Sequence, residues 1–528
     1  MTVISGTADS KAPDVSGTTE PARMAFLTRP AVVVGLLIAL GAAGRTYRIQ
    51  APPFDYHWIR QYDTAAIARN FAEGAMNPLY PQVDWRGDSP GYVESELPAY
   101  TYLVALLYRI AGIHEWLGRA LNIAVYALSA ALLFALARRL LTERAAVLAV
   151  FFYTVVPLSV FFTHTFQGDA LMCLGALTGV YFFQRWTDSA HVTDLVVSGL
   201  GVSLAISIKP FTAYLALPLG YLAYRRFGWR GLGKKSLWLY AVGLWAMPVL
   251  WYRHAFHLWK EYGNTLFRGY ARVDLPGLTD PFWFDYAKVI VERVVLVLAT
   301  PAGLTFLVVG VLAKPRDGNR VLHWWAAGLA VSMVLMNEAH YDHDYYQLPI
   351  VFAASIWMAQ GAVLLLERGL LSRVALAALC LGTVICSGWR LHDFFQIETW
   401  DDRAMAFGQR VAELTEPDAL MVFVQSGDDP RRGEWYQHRL APGEYLLYNP
   451  RDFYLSRRKG WSLSDSQASP ELIDRLRQRG ARYLGTFFPG SLDKNPQTRP
   501  WLEATQKRVE ITPRWSIYRL VPPPPTAP

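Results

Sequence analysis

The stretch His164-Thr165-Phe166-Gln167-Gly168-Asp169-Ala170-Leu171-Met172 joins two apolar runs, 145–162 and 170–186. Each run approaches the ~20 residues that an α-helix needs to cross the hydrocarbon of a bilayer. The carboxylate between them therefore stands at a helix mouth, where it is costly to keep dry and easy to use. The arrangement recurs at Asp63, in His57-Trp58-Ile59-Arg60-Gln61-Tyr62-Asp63-Thr64-Ala65-Ala66-Ile67-Ala68-Arg69-Asn70-Phe71, soon after the first apolar run at 30–43. Two acids at two mouths point to chemistry at one membrane face.

Working outward, further apolar runs lie at 117–141, 192–208, 211–224, 237–252, 289–313, 321–336, 347–366 and 374–389. The pattern predicts a mostly α, polytopic membrane protein with about eleven transmembrane helices. Composition agrees. The 528 residues are 52% hydrophobic and only 18% charged, against about 25% charged in a soluble protein. The loops 138–144, 225–235, 314–320 and 367–373 are short and mostly basic, so the positive-inside rule makes them cytoplasmic. Alternation then places Asp63, Asp169, Lys209 and His340 together on the outer side. An odd number of spans carries the tail from about residue 390 to that side too. The net charge of +8 is a topology signal. The basic residues sit in short membrane loops, not on one soluble face, which argues against nucleic acid as a partner.

Four regions follow. Residues 1–24 are polar and read as a disordered cytoplasmic tail. Residues 25–390 form the transmembrane domain, with a long first outer loop at 45–112. Residues 391–521 read as a small α/β outer domain, and 522–528 as a Pro-rich tail. The short run at 30–43 is also compatible with a cleaved signal peptide, the weaker reading. In the outer loop, 64–73 reads as an amphipathic helix with Ile67 and Phe71 on one face. Residues 97–110 read as an interfacial helix presenting Tyr100, Tyr102 and Tyr108 to the membrane boundary. Between them runs the polar stretch Asp84-Trp85-Arg86-Gly87-Asp88. In the outer domain, 403–414 and 471–479 read as helices. Residues 419–424 and 481–488 read as strands, with a final pair around Val509 and Ile517. Asp428-Asp429-Pro430 and Arg457-Arg458-Lys459 read as solvated turns. Cys173, Cys380 and Cys386 all lie in apolar runs and read as packing residues. No Cys/His cluster has zinc spacing, and neither a Walker loop nor a Gly-x-Gly-x-x-Gly follows a strand.

Each candidate residue has a plainer reading beside the functional one. Asp63 and Asp169 fit helix N-caps, accepting backbone N–H bonds from the next turn. A capped carboxylate is still ionised, with a lone pair to spare. Lys209-Pro210 marks an outer hairpin. Its lysine either snorkels or contacts a phosphate. His340-Tyr341-Asp342-His343-Asp344-Tyr345-Tyr346-Gln347 is the densest polar aromatic cluster. His340, His343, Asp342 and Asp344 are ligand types for a divalent metal, but no metal is indicated. A hydrogen-bonding rim around an anionic headgroup fits the cluster better.

Several motifs in order carry a resemblance. They are Tyr62-Asp63-x-x-x-Ile67-Ala68-Arg69-Asn70, Glu96-Leu97-Pro98-x-Tyr100, Gly118-Arg119, Gln167-Gly168-Asp169, Lys209-Pro210 and His340-x-x-x-x-Tyr345-Tyr346-x-Leu348-Pro349. Across roughly residues 30–390 the chain resembles the GT-C membrane glycosyltransferases. The nearest group is that of protein O-mannosyltransferases, aminoarabinose transferases and lipid-A galacturonosyltransferase-like proteins. The resemblance implies a multi-pass protein of the bacterial inner membrane. It would move a sugar from a polyprenyl-phosphate donor to an acceptor hydroxyl at the outer face, with inversion. The acceptor class stays open among lipid, polysaccharide and protein. Asp63 would be the general base, with Asp169 orienting the sugar or acceptor and standing as the alternative base. Arg60, Lys209, His340 and Tyr345, with Tyr346 and Glu96, would serve the donor and its phosphate. Asp55 and His57 are lesser candidates. The family often has Asp-Glu at the first acidic site; here it is Asp63-Thr64, so one carboxylate is missing there.

Two other classes compete. A transporter would also keep buried acids and a lysine, but the polar residues collect on one side rather than at the midplane. A non-catalytic envelope-assembly protein would bind lipid without releasing polyprenyl phosphate.

Overall fold

The computed structural model describes residues 29–266, 276–277, 279–396, 399–426, 436–441, 444–447 and 449–522. The expected tail 1–24, the Asp428-Asp429-Pro430 turn and residues 523–528 lie outside them.

Helices carry the chain from Pro30 to Phe394 and build one continuous apolar core. Glu115–Leu140, Ile350–Glu367 and Arg373–Phe394 are long and apolar enough to cross a membrane by themselves; Pro30–Gly44, Ala99–Ala111, Val192–Ile208 and Val321–Leu335 are apolar but shorter. Several expected single spans are broken instead. The run 145–162 divides into Glu143–Val155 and Pro157–Phe162 because Pro157 cannot donate to the turn before it and Val156 is extended. The run 211–224 opens with a 3-10 turn, Pro210–Leu215, before Ala216–Phe227. The run 289–313 becomes Phe282–Arg293, a π turn Val294–Leu298 and Leu304–Leu312, interrupted at Thr300-Pro301 with Thr300 in left-handed backbone.

Close approach depends on glycine at two contacts. Helices Asp169–Ser189 and Val192–Ile208 touch where a Cβ on Gly175 would lie 2.7 Å from the Gly201 carbonyl. A Cβ on Gly310 would meet the Trp357 carbonyl at 1.8 Å, so Leu304–Leu312 can press directly on Ile350–Glu367.

The outer loop and the tail form a second layer over one end of this bundle. The loop contributes helices Trp58–Glu73 and Ala99–Ala111 and strand β1 (Val93–Glu94). β1 pairs in parallel with β2 (Asn264–Thr265), which pairs antiparallel with β4 (Tyr436–Ala441) of the tail, and β4 with β5 (Glu444–Leu447). The tail's main sheet contains β3 (Leu420–Gln425), β6 (Lys459–Ser464), β7 (Ala481–Thr486), β8 (Lys507–Ile511) and β9 (Ser516–Arg519), in the order β6-β3-β7-β9-β8. The first three run parallel, and β9 and β8 complete the sheet antiparallel. One face of the sheet packs on the bundle side. There Phe407, Met421, Phe423, Phe453 and Tyr483 share a single apolar core with Tyr62, Phe71, Trp85, Tyr100 and Phe166.

This shared core overturns three local expectations. Helix Trp58–Glu73 is not amphipathic: residues Gln61 to Ala72 are buried on every side, between Ala99–Ala111 and the tail helix Arg451–Ser456. Tyr100 and Tyr108 turn inward rather than to the membrane boundary, and Tyr100 Oη donates to the Gly118 carbonyl at 2.9 Å. Arg457-Arg458-Lys459 is not a solvated turn. Arg458 is buried and donates to Thr415 and to the Ala412 carbonyl, and Lys459 begins β6.

Candidate active site

The site forms where four mouths converge: the Asp63 helix, the turn Ser95–Leu97, the start of the Asp169 helix and the end of the Val192–Ile208 helix. Asp63 lies in the second turn of its helix and is 1% exposed. It is therefore not an N-cap. That position falls to His57, in left-handed backbone with φ of 61° and no side-chain cap bond. Trp85 Nε1 donates to Asp63 Oδ1 at 2.9 Å, and Asp63 Oδ2 is buried without a hydrogen-bond partner. Burial pushes the Asp63 carboxyl up to about 8, against the opposing pull of the Trp85 N–H and the Arg60 charge.

Asp169 is the first residue of its helix, after Gly168, and makes no cap bond either. Its carboxylate instead faces Lys209, with Nζ 3.4 Å from Oδ1. Lys209 does not snorkel. It ends its helix in extended backbone and is buried, with Nζ 4.6 Å from the ring centroids of both Tyr345 and Tyr346. An ammonium over two aromatic faces gains from both quadrupoles, which helps offset the cost of leaving water.

A second ion pair, Arg60–Glu96, closes the same cleft. Burial alone would raise the Glu96 carboxyl, but Arg60 and Lys209 hold it below the ordinary range. Burial would lower the Arg60 guanidinium; Glu96 and Tyr345 outweigh it and hold it higher. Arg60, Asp63, Thr64, Ser95, Glu96, Tyr100 and Gly168 line a cavity of about 30 Å³. That holds a water or two.

The remaining expected residues sit nearby but not in the cleft. His340 is fully buried behind Tyr346 and Phe211, its ring centroid 5.5 and 5.8 Å from theirs. Burial and the Arg293 charge push its imidazole down to about 3. His340 is thus neutral, and what its ring offers is a hydrogen bond rather than a charge. The role of its turn is structural: Arg293 and Gln347 both donate to the His340 carbonyl, at 2.5 and 2.9 Å. His57 Nε2 bonds Asp344 at 2.9 Å and its ring meets those of His343 and Tyr345, tying the helix start to the turn that stacks on Lys209. Asp55 holds Gln61 and faces Arg119 at 3.5 Å. Gln61 in turn accepts from Phe166 N at 2.9 Å, so Asp55 supports the backbone leading to Asp169. Within the cluster at 340–347 the rings of His343, Tyr345 and Tyr346 stack on one another, with centroids 4.9–6.1 Å apart. Among the described residues no three His, Cys, Asp or Glu side chains gather as a metal site.

Trp85 was not singled out from sequence, although its polar stretch was. The signal available was an indole amid Asp84, Arg86 and Asp88 in a loop too long to be a simple connection.

Comparison with known proteins agrees with this architecture. The family profile of dolichyl-phosphate-mannose-protein mannosyltransferase matches residues 90–252. No curated protein matches the chain in sequence. The fold is similar to that of ArnT from Cupriavidus metallidurans, solved bound to undecaprenyl phosphate. The TM-score is 0.62 at 14% identity, covering 92% of this chain and 97% of that one. It is also similar to the oligosaccharyltransferase AglB from Archaeoglobus fulgidus, solved with an inhibitory peptide and a dolichol-phosphate. There the TM-score is 0.53 at 12% identity, over 92% and 74% of the two chains. The matched family and these neighbours are all of the GT-C glycosyltransferase superfamily, the group that the motifs of this sequence resemble.

Proposed function

We propose that this chain, with the fold of the GT-C glycosyltransferases, transfers a sugar from a polyprenyl-phosphate donor to an acceptor hydroxyl at the outer membrane face. The observation that carries the reading is Asp63: a dry carboxyl with one oxygen held by Trp85 and the other bare, in a cavity lined by the Arg60–Glu96 pair. In the step, the acceptor oxygen bonds to the anomeric carbon while the bond from that carbon to the donor phosphate oxygen breaks. The acceptor proton passes to Asp63 Oδ2, and the bonding pair leaves on the lipid phosphate. Attack opposite the leaving group inverts the carbon.

The charge count favours this assignment. Arg60 and Lys209 balance Glu96 and Asp169, so ionised Asp63 is the one negative charge left over before the step. As transfer proceeds, Asp63 loses its negative charge while the departing phosphate gains one, so the low-dielectric cleft carries the same net charge before and after. Lys209 and Arg60 are the cations available to the phosphate, and Tyr345 and Tyr346 hold the lysine in place. Asp169 keeps Lys209 charged and positioned. The acceptor's proton must lie within about 2.6–3.2 Å of the base, which a carboxyl fixed in a helix interior can provide.

The test uses purified full-length protein with a lipid extract of its own host membrane. Mass spectrometry would follow release of polyprenyl phosphate. Release by the wild type and none by Asp63→Asn supports the reading. Binding of lipid-linked sugar without release would favour an assembly or transport role.

A further inference from the structure

Among the described residues the C-terminal sheet domain contributes no side chain to the cavity beside Asp63, yet it reaches Asp63 through one residue. Trp85 lies between Asp84 and Gly87, and both are bonded to the same tail residue. Gly460 N donates to the Asp84 carbonyl at 3.1 Å, and Gly87 N donates to the Gly460 carbonyl at 2.7 Å. Gly460 has φ of 148°, and a Cβ there would lie 1.9 Å from the Met421 carbonyl. Only glycine lets β6 sit in the sheet and still meet the loop.

Asp84 then grips the Asp63 helix itself. Its carboxylate takes Arg69 Nη2 at 2.5 Å and Asn70 Nδ2 at 2.9 Å, about two turns beyond Asp63. Arg69 also donates to the Tyr454 carbonyl at 3.0 Å and lies over the Tyr454 ring, and Tyr454 Oη donates to Glu115 at 2.7 Å. The tail grips the opposite wall too, since β4 pairs with β2 and β2 with β1, two residues before Glu96.

We propose that the C-terminal domain is a positioning element of the active site, clamping residues 84–87 so that the Trp85 indole N–H stays on Asp63 Oδ1 and leaves Oδ2 to the acceptor. Trp85 is a positioning residue, acting through Asp63. The proposal rests on Asp63 being the base. The other groups that face Asp63 are Arg60 and Glu96 across the cleft and Asp84 behind Trp85. None of them donates a hydrogen bond to Oδ1, so the indole is its single donor among the described residues.

The experiment titrates Asp63 directly. In full-length protein, the infrared C=O band of protonated Asp63 is identified by its loss in Asp63→Asn and followed against pH. Trp85→Phe keeps an aromatic ring and removes the donor. Benzothienylalanine at position 85 keeps the whole bicyclic shape and lacks the N–H, which covers the case in which phenylalanine does not fold. Both should move the Asp63 midpoint up by on the order of one to two pH units, as expected for losing a hydrogen bond to a charged group. Turnover of the host lipid extract near pH 7 should fall by about 10- to 100-fold. Arg479→Gln, which removes the exposed Arg479–Asp88 bridge at the same interface, should leave the midpoint in place. An unmoved midpoint in the benzothienylalanine protein overturns the clamp even if Asp63→Asn is inactive. Normal turnover in Asp63→Asn overturns the base assignment, whatever the midpoint does.

Discussion

At one end of the helical bundle, Asp63, Asp169 and Lys209 are 1%, 1% and 4% exposed. At the other, Arg138 and Arg316 keep more than half of their side-chain surface in solvent, in loose pairs with Glu143 and Asp317. The same residue types thus do opposite jobs. Exposed pairs contribute little to stability and are screened by salt. Buried ones cost several kcal/mol to desolvate and are kept only where geometry or chemistry uses them. The difference teaches where to look for function: in the charges that a fold has gone to expense to hide.

That contrast can be broken experimentally, and the largest effect belongs to Asp63. Asp63→Asn should lower turnover by about 10²–10⁴-fold, the usual range for losing a general base. The melting temperature should hold or rise, because the amide oxygen can still accept from Trp85 and no charge is left buried. Activity within a few-fold of wild type would return Asp63 to a structural role.

Lys209→Met probes the second hidden charge. It strands Asp169 and should destabilise the protein by about 3–5 kcal/mol, as for breaking a buried pair. The double change Lys209→Met/Asp169→Asn should recover much of that loss in a chemical melt, without recovering turnover. Equal melts for the single and double variants would show that the pair is not coupled.

The pH profile gives a graded version. The folded-state value for Asp63 is raised, and the base form is its deprotonated form. Turnover should therefore fall as pH drops below about 8, by about tenfold per unit. The sign for stability is the reverse of the usual carboxylate. Burial favours the protonated acid, so Asp63 costs the fold least at low pH and most above about 8. A profile flat from pH 6 to 9 would contradict the assignment.

The smallest effect lies outside the cleft. Removing the exposed Arg410–Glu510 pair, whose Arg410 side chain is 40% exposed, should leave both the melt and turnover nearly unchanged, because solvent screens such a pair. A large loss there would blur the distinction between hidden and exposed charge.

Hydropathy made the helical bundle readable, because burial in lipid acts on each segment by itself. The helix mouths were readable for the same reason: Asp63, Asp169 and Lys209 stand out against apolar neighbours. What those residues touch was not. Lys209 meets Asp169 from 40 positions away, a difference of the two residue numbers. Trp85 meets Asp63 across a loop whose path is set by the tail. Both acids read equally well as caps, and only their partners decide otherwise. The partners of His340 were hidden for the same reason: Arg293 and Gln347 bond its carbonyl and Ser332 its Nε2, all set by the fold. In the tail, 403–414 and 481–488 were legible from periodicity. Strand β6 was not, because Arg457-Arg458-Lys459 resembles a surface turn until Arg458 is seen capping the 399–414 helix carbonyls.

The sheet β1-β2-β4-β5 draws its strands from three distant parts of the chain. During synthesis the first strand emerges some 340 residues before the third, by their numbering. The walls of the cleft are therefore not all in place until β4 of the tail has been made and has joined β2. A chain that ends before the tail therefore holds Asp63 in an unfinished setting, without the β2–β4 pairing and the two Gly460 bonds that fix residues 84–87.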